Sequence, residues 1–435
     1  MRCLPLIIAL LSTSGFGEKL RYEGQSLNVL AFRDNHSMAV QSKLERFKDL
    51  TGATVRLDMV ASSTVATKTA TDQLAGGSYD IYAVDEPFVP QLSVFFIPFD
   101  QWPAPTVVDP SEITSENFLR AAAEGATFRG KQYGLPISSN VYMYVYRSDL
   151  FSDPQEKENF KARYGYDLAP PKTTQEFKNV AEFFTRPPKM YGFAPFTKKS
   201  EGTTVEAMWI LSTFGVRFFD NDLNVVFDAK AAAKAFSFYV NLMEYAPKGG
   251  RSWHHSERMA AYSKGKVVQI LTWPSFVKGL EDPTRSLVVG KNSYALPPKG
   301  PGGESSPVAG TWSLAIAKTS KKPQLAAEFA AFWASSRFGK ILVPNGMNPA
   351  RKDLLRDQEL VRDNPWFAGI DKSFTKAVVR PRFPKYKQVS DKISYHFTKM
   401  ITGESSPKEA AEALESDLRR LVKKLKLRMA SRKKI

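Results

Sequence analysis

The chain has 435 residues, of which 43% are hydrophobic and 24% are charged, and its formal net charge is +17. This length exceeds the size at which a single core stops growing, so two domains are expected, and the composition is typical of a soluble globular protein. After the first residues, no segment is long and apolar enough to cross a bilayer.

The positive charge is concentrated at one end. Nine Lys and Arg residues, and no acidic residue, lie in the last 17 positions, 419–435, which hold more than half of the excess charge. We interpret 419–435 as a basic helical tail that either touches an anionic surface or is simply exposed to solvent, with cations at the end of a helix. A nucleic-acid partner is not expected.

The N-terminal segment predicts export. It combines a basic residue, Arg2, with an apolar run at 4–11 and small residues at 12–17, a pattern typical of a secretory signal peptide cleaved near Gly17. Because the apolar run is too short to span a bilayer, a membrane anchor is not expected. A buried N-terminal strand is the alternative interpretation.

The single cysteine, Cys3, lies inside the predicted signal peptide. The mature chain would therefore contain no disulfide and no cysteine metal site. Export without disulfides or an anchor indicates a soluble bacterial periplasmic protein.

From Leu27 the chain alternates strands and helices. "LNVLAF" predicts a strand, a helix follows and stops at Gly52, "TVRLDMV" predicts the next strand, a helix is expected over 64–75, and "YDIYAV" predicts a third strand. Strand–helix–strand–helix–strand with short connections indicates a parallel sheet joined by right-handed crossovers.

Polar residues follow each of these three strands. Ligands bind beyond the carboxyl ends of strands in open α/β sheets, so a site is expected at this edge, although each polar loop residue alone is weak evidence. The residues are Asp34, Asn35 and His36, then Ser62 and Ser63, then Asp85 and Glu86.

A second α/β region begins after residue 150. "TTQEFKNVAEFF" opens with a capping box, Thr173 with Glu176, and "KVVQILTWP" predicts a strand. Three extended segments connect the two regions: residues 130–151, "PVAGTWSLAIAK", and a stretch near "GMNPARKDLL". Three crossings predict a hinge between two lobes, with a ligand trapped in the cleft on closure.

The expected division follows from these crossings. The first lobe comprises 18–137 plus 312–348, the second lobe comprises 138–311 plus 349–418, and the tail follows.

Short motifs occur in an ordered set: "FIPFD", "NFLRAAAEGATFRGKQYGLP" with "YVYRSDLF", "PPKGPGG", "AGTWSLAIAKTSKKPQLAAEFAAFWAS" and "NPARKDLL". In order and spacing they resemble the family 1 extracellular solute-binding proteins of ATP-binding-cassette importers, which include the maltose-binding proteins, over nearly the whole mature chain. The sequence departs from the family pattern at Arg147, where Asn is usual, and at Ala309-Gly310-Thr311, which replaces a common double glycine.

The resemblance implies a two-lobed α/β fold of the type II periplasmic binding protein kind, acting as a monomer without catalysis, cofactor or metal. It implies that a sugar, sugar alcohol or oligosaccharide binds in the cleft and is delivered to the permease subunits of the importer.

Neutral sugars need carboxylates and amides to bind their hydroxyls and aromatic faces to cover their C–H groups. The strand-end pattern and the resemblance together place the candidate ligand contacts at Asp34, Asn35, His36, Ser62, Asp85, Ser139, Asn140, Trp209, Trp273, Thr311, Trp312 and Arg351.

Several candidates also have a structural interpretation. Trp209 suits a helix core as well as a ligand contact, and His36 suits an ordinary loop. Asp34 suits the cap of the first helix. Arg351 suits an ion pair with Asp353.

The sequence is also compatible with two other functions. Arg351, Arg147 and the basic balance are compatible with an anionic solute, a uronate or a phosphorylated polyol. A glycoside-acting enzyme would need two carboxylates about 5–10 Å apart on facing walls, a condition that the sequence neighbours Asp85 and Glu86 do not meet by themselves. The sequence contains no nucleophile elbow, phosphate loop, dinucleotide fingerprint or zinc-protease motif.

Overall fold

The structure is a computed structural model that describes residues 20–220 and 222–432, with side chains up to residue 427. The predicted signal peptide and Cys3 lie outside the described residues. Within these ranges, no helix combines the length and the apolar character needed to cross a bilayer.

The strands are β1 (Ser26–Phe32), β2 (Thr54–Val60), β3 (Ile81–Asp85), β4 (Thr127–Phe128), β5 (Lys131–Gln132), β6 (Leu135–Val141), β7 (Met143–Arg147), β8 (Tyr191–Phe193), β9 (Val267–Thr272), β10 (Asn292–Ala295) and β11 (Ala309–Ile316).

The helices are α1 (Asn35–Gln41), α2 (Leu44–Thr51), α3 (Ser62–Leu74), α4 (Val89–Leu92), α5 (Arg120–Gly125), α6 (Ser148–Ser152), α7 (Pro154–Tyr164), α8 (Thr174–Phe184), α9 (Glu201–Thr213), α10 (Ala229–Leu242), α11 (His255–Ser263), α12 (Pro274–Val277), α13 (Pro323–Ala334), α14 (Ser336–Leu342), α15 (Lys352–Arg356), α16 (Gln358–Asp363), α17 (Phe367–Lys376), α18 (Tyr386–Thr402) and α19 (Pro407–Arg432).

The first sheet has the strand order β2-β1-β3-β11-β6. Strand β1 pairs in parallel with β2 and β3, as the alternation of strands and helices predicts. Strand β11 enters from much later in the chain and pairs antiparallel with both β3 and β6. The carboxyl ends of β1, β3 and β6 therefore share an edge with the amino end of β11.

The second sheet has the order β10-β7-β9-β8, and β7 is antiparallel to both of its neighbours. Thr272, the last residue of β9, pairs with Met143, the first residue of β7. Because only Tyr142 separates β7 from β6 of the first sheet, this end of the second sheet adjoins the site edge of the first.

Three segments connect the sheets, and the structure places two of them differently from the sequence-based expectation. The first sheet includes 138–141 and 309–311, which the sequence analysis assigned to the second lobe. The stretch near "GMNPARKDLL" does not cross, because the backbone of Asn348 accepts a hydrogen bond from Ser139 and that of Ala350 accepts one from Leu119. Both bonds tie it to the first sheet and its helices.

We propose that the third crossing lies further on, at 377–382. The backbone of Val378 exchanges hydrogen bonds with Pro307 and Ala309, so that this segment runs beside the entry to β11. From these contacts we propose that the first lobe comprises 20–141 and 309–376, and that the second comprises 142–308 and the helices after the third crossing.

The basic tail continues a helix, as its sequence predicts. Helix α19 packs against α10 and α18, and Leu418, Val422 and Leu425 on its inner face are buried in the core of the second lobe. The described part of the tail, 419–427, is therefore an integral part of this lobe, with its cations on the outer face of a packed helix.

A fully buried ion pair stabilises the second lobe beneath the first crossing. Arg258 Nη1 lies 3.1 Å from Glu206 Oε2, and both side chains are completely buried. Tyr239 donates a 2.6 Å hydrogen bond to Glu206, and Tyr142 donates another. Arg258 also donates to the hydroxyl of Tyr142 at 2.8 Å. Two tyrosines and one arginine thus satisfy the buried carboxylate.

Removal of this carboxylate should destabilise the protein strongly. We expect Glu206→Ala to lower the free energy of unfolding by about 3–5 kcal/mol, because it leaves the Arg258 charge buried without a partner. Glu182→Ala is the matched control: its ion pair with Arg163 is largely exposed and should contribute at most about 1 kcal/mol. Urea unfolding followed by circular dichroism measures both, and equal losses would contradict the prediction.

Candidate functional site

The register of the first sheet brings several predicted site residues into one row. Trp312 pairs with Asp85, Thr311 with Ser139, and Gly310 with Asn140. These pairings lie where β3 and β6 end and β11 begins. These five candidate residues therefore lie at one edge of the first sheet, next to the first and second crossings.

Trp273 supplies an aromatic surface from the second lobe. It directly follows β9 and precedes Pro274, and its ring packs edge-on against Tyr142 with centroids 5.2 Å apart. A methyl group at Gly310 would lie 2.8 Å from the indole atoms Cη2 and Cζ3, so the main chain of β11 approaches the ring too closely for any side chain there. Trp273 is partly exposed at the junction of the two sheets.

Asn140 presents a buried amide without a full set of partners. The residue is 9% exposed, and its Nδ2 has a weak contact of 3.5 Å with Ser138 Oγ. Its Oδ1 accepts no hydrogen bond from any described residue, although it is buried. An unpaired buried acceptor costs about 1–3 kcal/mol, so this oxygen is well suited to a donor supplied by a bound molecule.

Trp312 lies at the same edge but faces the first lobe. It is 8% exposed, and its ring stacks on Phe32, the last residue of β1, with centroids 4.1 Å apart. The indole thus covers the end of the first-lobe core, and only a small part of its surface remains exposed.

Asp34 is the N-cap of α1. Its side chain accepts a 3.0 Å hydrogen bond from the backbone of Ser37. Burial raises the pKa of Asp34 to about 6, because desolvation of the carboxylate outweighs the backbone donors of Ser37 and His36. This geometry agrees with the capping alternative and leaves the carboxyl partly exposed near the cleft.

The two residues after Asp34 point in different directions. Asn35 is exposed, and its Nδ2 lies 3.5 Å from the carbonyl oxygen of Ser275 in the second lobe, so it reaches across the cleft. His36 is buried inside the first lobe, where its Nε2 accepts a 2.9 Å hydrogen bond from Trp333. Burial lowers the pKa of His36 to about 3, which keeps the ring neutral. The structure does not bring His36 to the cleft.

Of four more candidates, three are buried against structural partners and the fourth is exposed. Trp209 is fully buried in the second-lobe core, in edge contact with Phe177. Ser139 donates to the carbonyl of Pro349 at 2.5 Å, and Thr311 is buried against Gly125. Ser62 is exposed at the first turn of α3.

The arginines that suggested an anionic solute are neutralised by carboxylates. Arg351 Nε binds Asp353 at 2.9 Å, and its Nη1 donates to the carbonyl of Glu112. Arg147 Nε binds Asp149 at 2.7 Å. Both guanidinium groups are held within their own lobes.

Arg380, which is not among the candidates from the sequence, binds Asp85. Arg380 Nη1 lies 3.0 Å from Asp85 Oδ2, and Nη2 contacts the other carboxylate oxygen. Arg380 Nε lies 3.0 Å from Glu86 Oε1, and Nη1 also reaches Glu201 Oε1 at 3.2 Å. Burial raises the pKa of Asp85 even though Arg380 lowers it. Two adjacent acids at a buried strand end require a cation to compensate their charge. The "RPR" run at 380–382 is the part of the sequence that could have indicated this cation.

The raised pKa of Asp34 predicts a pH-dependent effect of Asp34→Asn. Between its ordinary pKa and about 6, the folded state binds a proton that the unfolded state has lost, so wild-type stability falls as pH rises through this window. Asn caps a helix equally well and never ionises. We expect the variant to be more stable by about 1–2 kcal/mol above pH 6, and no different near pH 4.

Asp228→Asn is the control for this effect. Asp228 is the exposed N-cap of α10, and it accepts hydrogen bonds from the backbone of Lys230 and Ala231. Thermal unfolding of both variants across the pH range should show a gain only for Asp34→Asn. A gain that does not depend on pH would contradict the assignment.

Known proteins resemble this chain in sequence and in fold. Residues 35–339 match the family model of the bacterial extracellular solute-binding proteins. A probable ABC transporter-binding protein of Deinococcus radiodurans is 28% identical over 313 residues, which cover 69% of this chain and 71% of the relative. A mannitol-binding protein of Pseudomonas aeruginosa is 23% identical over 348 residues, which cover 74% and 77%.

Two solved structures share the fold. A solute-binding protein of Agrobacterium radiobacter K84 in complex with ribitol aligns with a TM-score of 0.80 at 22% identity, covering 92% of this chain and 99% of that one. A solute-binding protein of Agrobacterium vitis S4 with bound D-mannitol aligns with a TM-score of 0.78, also at 22% identity, with the same coverage. The two-lobed α/β fold predicted from the sequence is confirmed, and the chain belongs to the bacterial extracellular solute-binding protein family.

Proposed function

We propose that this protein is the periplasmic substrate-binding component of an ATP-binding-cassette importer, and that it binds a neutral sugar or sugar alcohol between its lobes without altering it. The observation that carries the proposal is the balance of charge around the site. Arg380, Arg351 and Arg147 are all paired with carboxylates, whereas the buried amide oxygen of Asn140 accepts no hydrogen bond from any described residue and the Trp273 ring is partly exposed.

This charge balance favours a neutral solute over an anionic one. A uronate or a phosphorylated polyol would need a guanidinium or ammonium group with free donors. The guanidinium at the site edge, Arg380, already binds Asp85, Glu86 and Glu201. An anion there would have to displace a buried carboxylate.

The remaining groups match the chemistry of a polyol. The Oδ1 of Asn140 can accept a hydrogen bond from a hydroxyl, and the ionised Asp85 retains acceptor capacity beyond its two bonds to Arg380. The flat Trp273 ring can cover C–H groups on one side of the solute. Sugars and sugar alcohols combine both surfaces, and a linear or cyclic polyol would fit this set of groups.

The same contacts disfavour hydrolysis. A glycosidase needs one carboxyl as acid and a second as nucleophile or base, both facing the substrate. Glu86 is buried and binds both Arg380 and Arg382, while Asp85 is held by Arg380. We therefore infer that the site binds its solute and releases it unchanged.

Transport follows from lobe closure. A solute shifts the balance between open and closed forms only by its differential affinity for the closed form. Groups from both lobes meet at the site: Asn140 and Asp85 come from the first lobe and Trp273 from the second. A solute that contacts all three stabilises the closed form, which the permease would recognise. The names of the relatives, a mannitol-binding protein and proteins crystallised with ribitol and D-mannitol, support a polyol as the first choice.

A thermal-shift panel tests the proposed ligand class. Ribitol, D-mannitol and maltose represent neutral solutes, and glucuronate and mannitol 1-phosphate represent anionic ones. A true ligand at about 100 times its Kd should add about 2.7 kcal/mol to the free energy of unfolding. We expect stabilisation by at least one neutral compound. Stabilisation by the anions alone would contradict the proposal.

Trp273→Ala should abolish most of the binding while leaving the fold intact. An aromatic contact contributes about 0.5–1.5 kcal/mol beyond the area that it buries, so Kd should rise roughly tenfold or more. Isothermal calorimetry with the best compound of the panel measures the change. Trp209→Phe is the control, because this residue is fully buried in the second-lobe core: it should lower the melting temperature and leave Kd unchanged. An unchanged Kd in Trp273→Ala would remove Trp273 from the site.

A further inference from the structure

Arg380 lies on the third crossing, between the two lobes. Val378, two residues before it, pairs with the backbone that leads into β11, and the side chain of Arg380 is only 4% exposed. Its backbone N–H also donates to Glu86 Oε1 at 3.2 Å. The residue is therefore anchored to the first lobe by both its main chain and its side chain.

The partners of this guanidinium come from both lobes. Asp85 ends β3 of the first lobe and Glu86 follows it, whereas Glu201 is the first residue of α9 in the second lobe. Arg380 uses Nε for Glu86, Nη2 for Asp85, and Nη1 for both Asp85 and Glu201. One side chain thus connects the acidic end of β3 to the start of α9.

Glu201 is held firmly within the second lobe. Its Oε2 accepts a 2.6 Å hydrogen bond from Ser390, and its Oε1 accepts one from the hydroxyl of Tyr386, both on α18. Phe88 of the first lobe packs edge-on against Tyr386 with centroids 5.3 Å apart. The bond from Arg380 to Glu201 is therefore the polar contact at which the two lobes meet in this cluster.

Separation of the lobes would break this bond selectively. Arg380 would keep Asp85 and Glu86, and Glu201 would keep its two hydroxyl donors on α18. Neither side would be left with a buried, wholly unpaired charge, the condition that makes disruption of a buried ion pair so costly. The contact can therefore open and close without unfolding either lobe.

We propose that Arg380 is a positioning residue with two roles: it aims the Asp85 carboxylate along the edge of the cleft, and it holds Glu201 so that the lobes stay closed. A carboxylate offers about four acceptor positions and Arg380 occupies two, so Asp85 can bind solute hydroxyls while it remains fixed. The first role rests on the proposed function. The second concerns the protein alone and is tested without a ligand.

The distance between the lobes tests the second role. The only cysteine, Cys3, lies in the predicted signal peptide, so spin labels can be placed at Leu74→Cys on the first lobe and Leu287→Cys on the second. These leucines are 79% and 72% exposed. Pulsed electron paramagnetic resonance on the mature chain without ligand then gives the populations of closed and open forms.

Glu201→Gln is the test variant, because the amide keeps the size of the side chain and loses the charge-assisted bond to Arg380. We expect the open-to-closed ratio to rise roughly five- to tenfold, since a charged hydrogen bond is about twice as strong as a neutral one. Arg382→Gln is the matched control: Arg382 binds Glu86 and the carbonyls of Gly125 and Thr127, all in the first lobe. Its distance distribution should equal that of the wild type.

Arg380→Lys tests the first role. Lys keeps the charge but cannot bind Asp85 through two nitrogens and reach Glu201 at the same time. We expect the open-to-closed ratio to rise as in Glu201→Gln, and the Kd for D-mannitol or ribitol, whichever the panel identifies, to rise about tenfold. In the double variant the ratio should match that of either single variant.

A wild-type distance distribution in folded Glu201→Gln would overturn the proposed contact between the lobes, as would an equal shift in Arg382→Gln. An unchanged Kd in folded Arg380→Lys would overturn the positioning of Asp85. If Arg380→Lys fails to fold, Glu201→Gln decides the second role alone. Absence of binding by every compound of the panel would reject the proposed function and leave the distance measurement valid.

Discussion

Strand β11 is inserted between β3 and β6 and runs antiparallel to both, although the whole second sheet lies between β6 and β11 in the chain. This pairing joins β6 to the rest of the first sheet. It also returns the chain from the second sheet to the first, which forms the second crossing. It also sets the register that places Trp312 beside Asp85 and Gly310 beside Asn140. Without β11, the ends of β3 and β6 would not be bridged, and the candidate site would have no common edge.

Buried charge is the second constraint on this architecture. Glu206 with Arg258 and Asp85 with Arg380 are each surrounded by hydroxyls and further charges, in accord with the rule that an uncompensated buried ion is costly. One cluster lies inside the second lobe and the other lies between the lobes. Both are adjacent to crossings, so that charged groups are buried beside the segments that connect the lobes.

The sequence predicted the elements that depend on local pattern. Strand β1, the helix stop at Gly52, strand β9 and the helical tail all lie where periodicity and capping residues indicated them. These features need only neighbouring residues to define them.

Features that depend on distant residues were not predicted. Arg380 binds Asp85 across a separation of 295 positions, and no local pattern shows which acid an arginine will meet. The proline and asparagine run at 348–350, near which the sequence predicts the third crossing, has the composition of a connection, yet its backbone accepts hydrogen bonds from Ser139 and Leu119.

The two tryptophans illustrate the same limit for the site. Trp209 lies on α9, a helix buried on nearly all sides, so the apolar period could not distinguish a core position from a ligand contact. Trp273 stands at the end of a strand before a proline, and this position does indicate a residue at the edge of a sheet. The candidate positions that the sequence indicates most directly are therefore those at the end of a strand.

The close approach of the Trp273 ring to Gly310 has a consequence for the shape of the cleft. The surface that contacts the indole here is the backbone of Gly310. Because no side chain forms this surface, exchanging one amino acid for another cannot make it smaller. The part of the Trp273 ring that packs on Gly310 is thus covered by backbone, and a bound molecule could contact the indole only through the remainder of its surface.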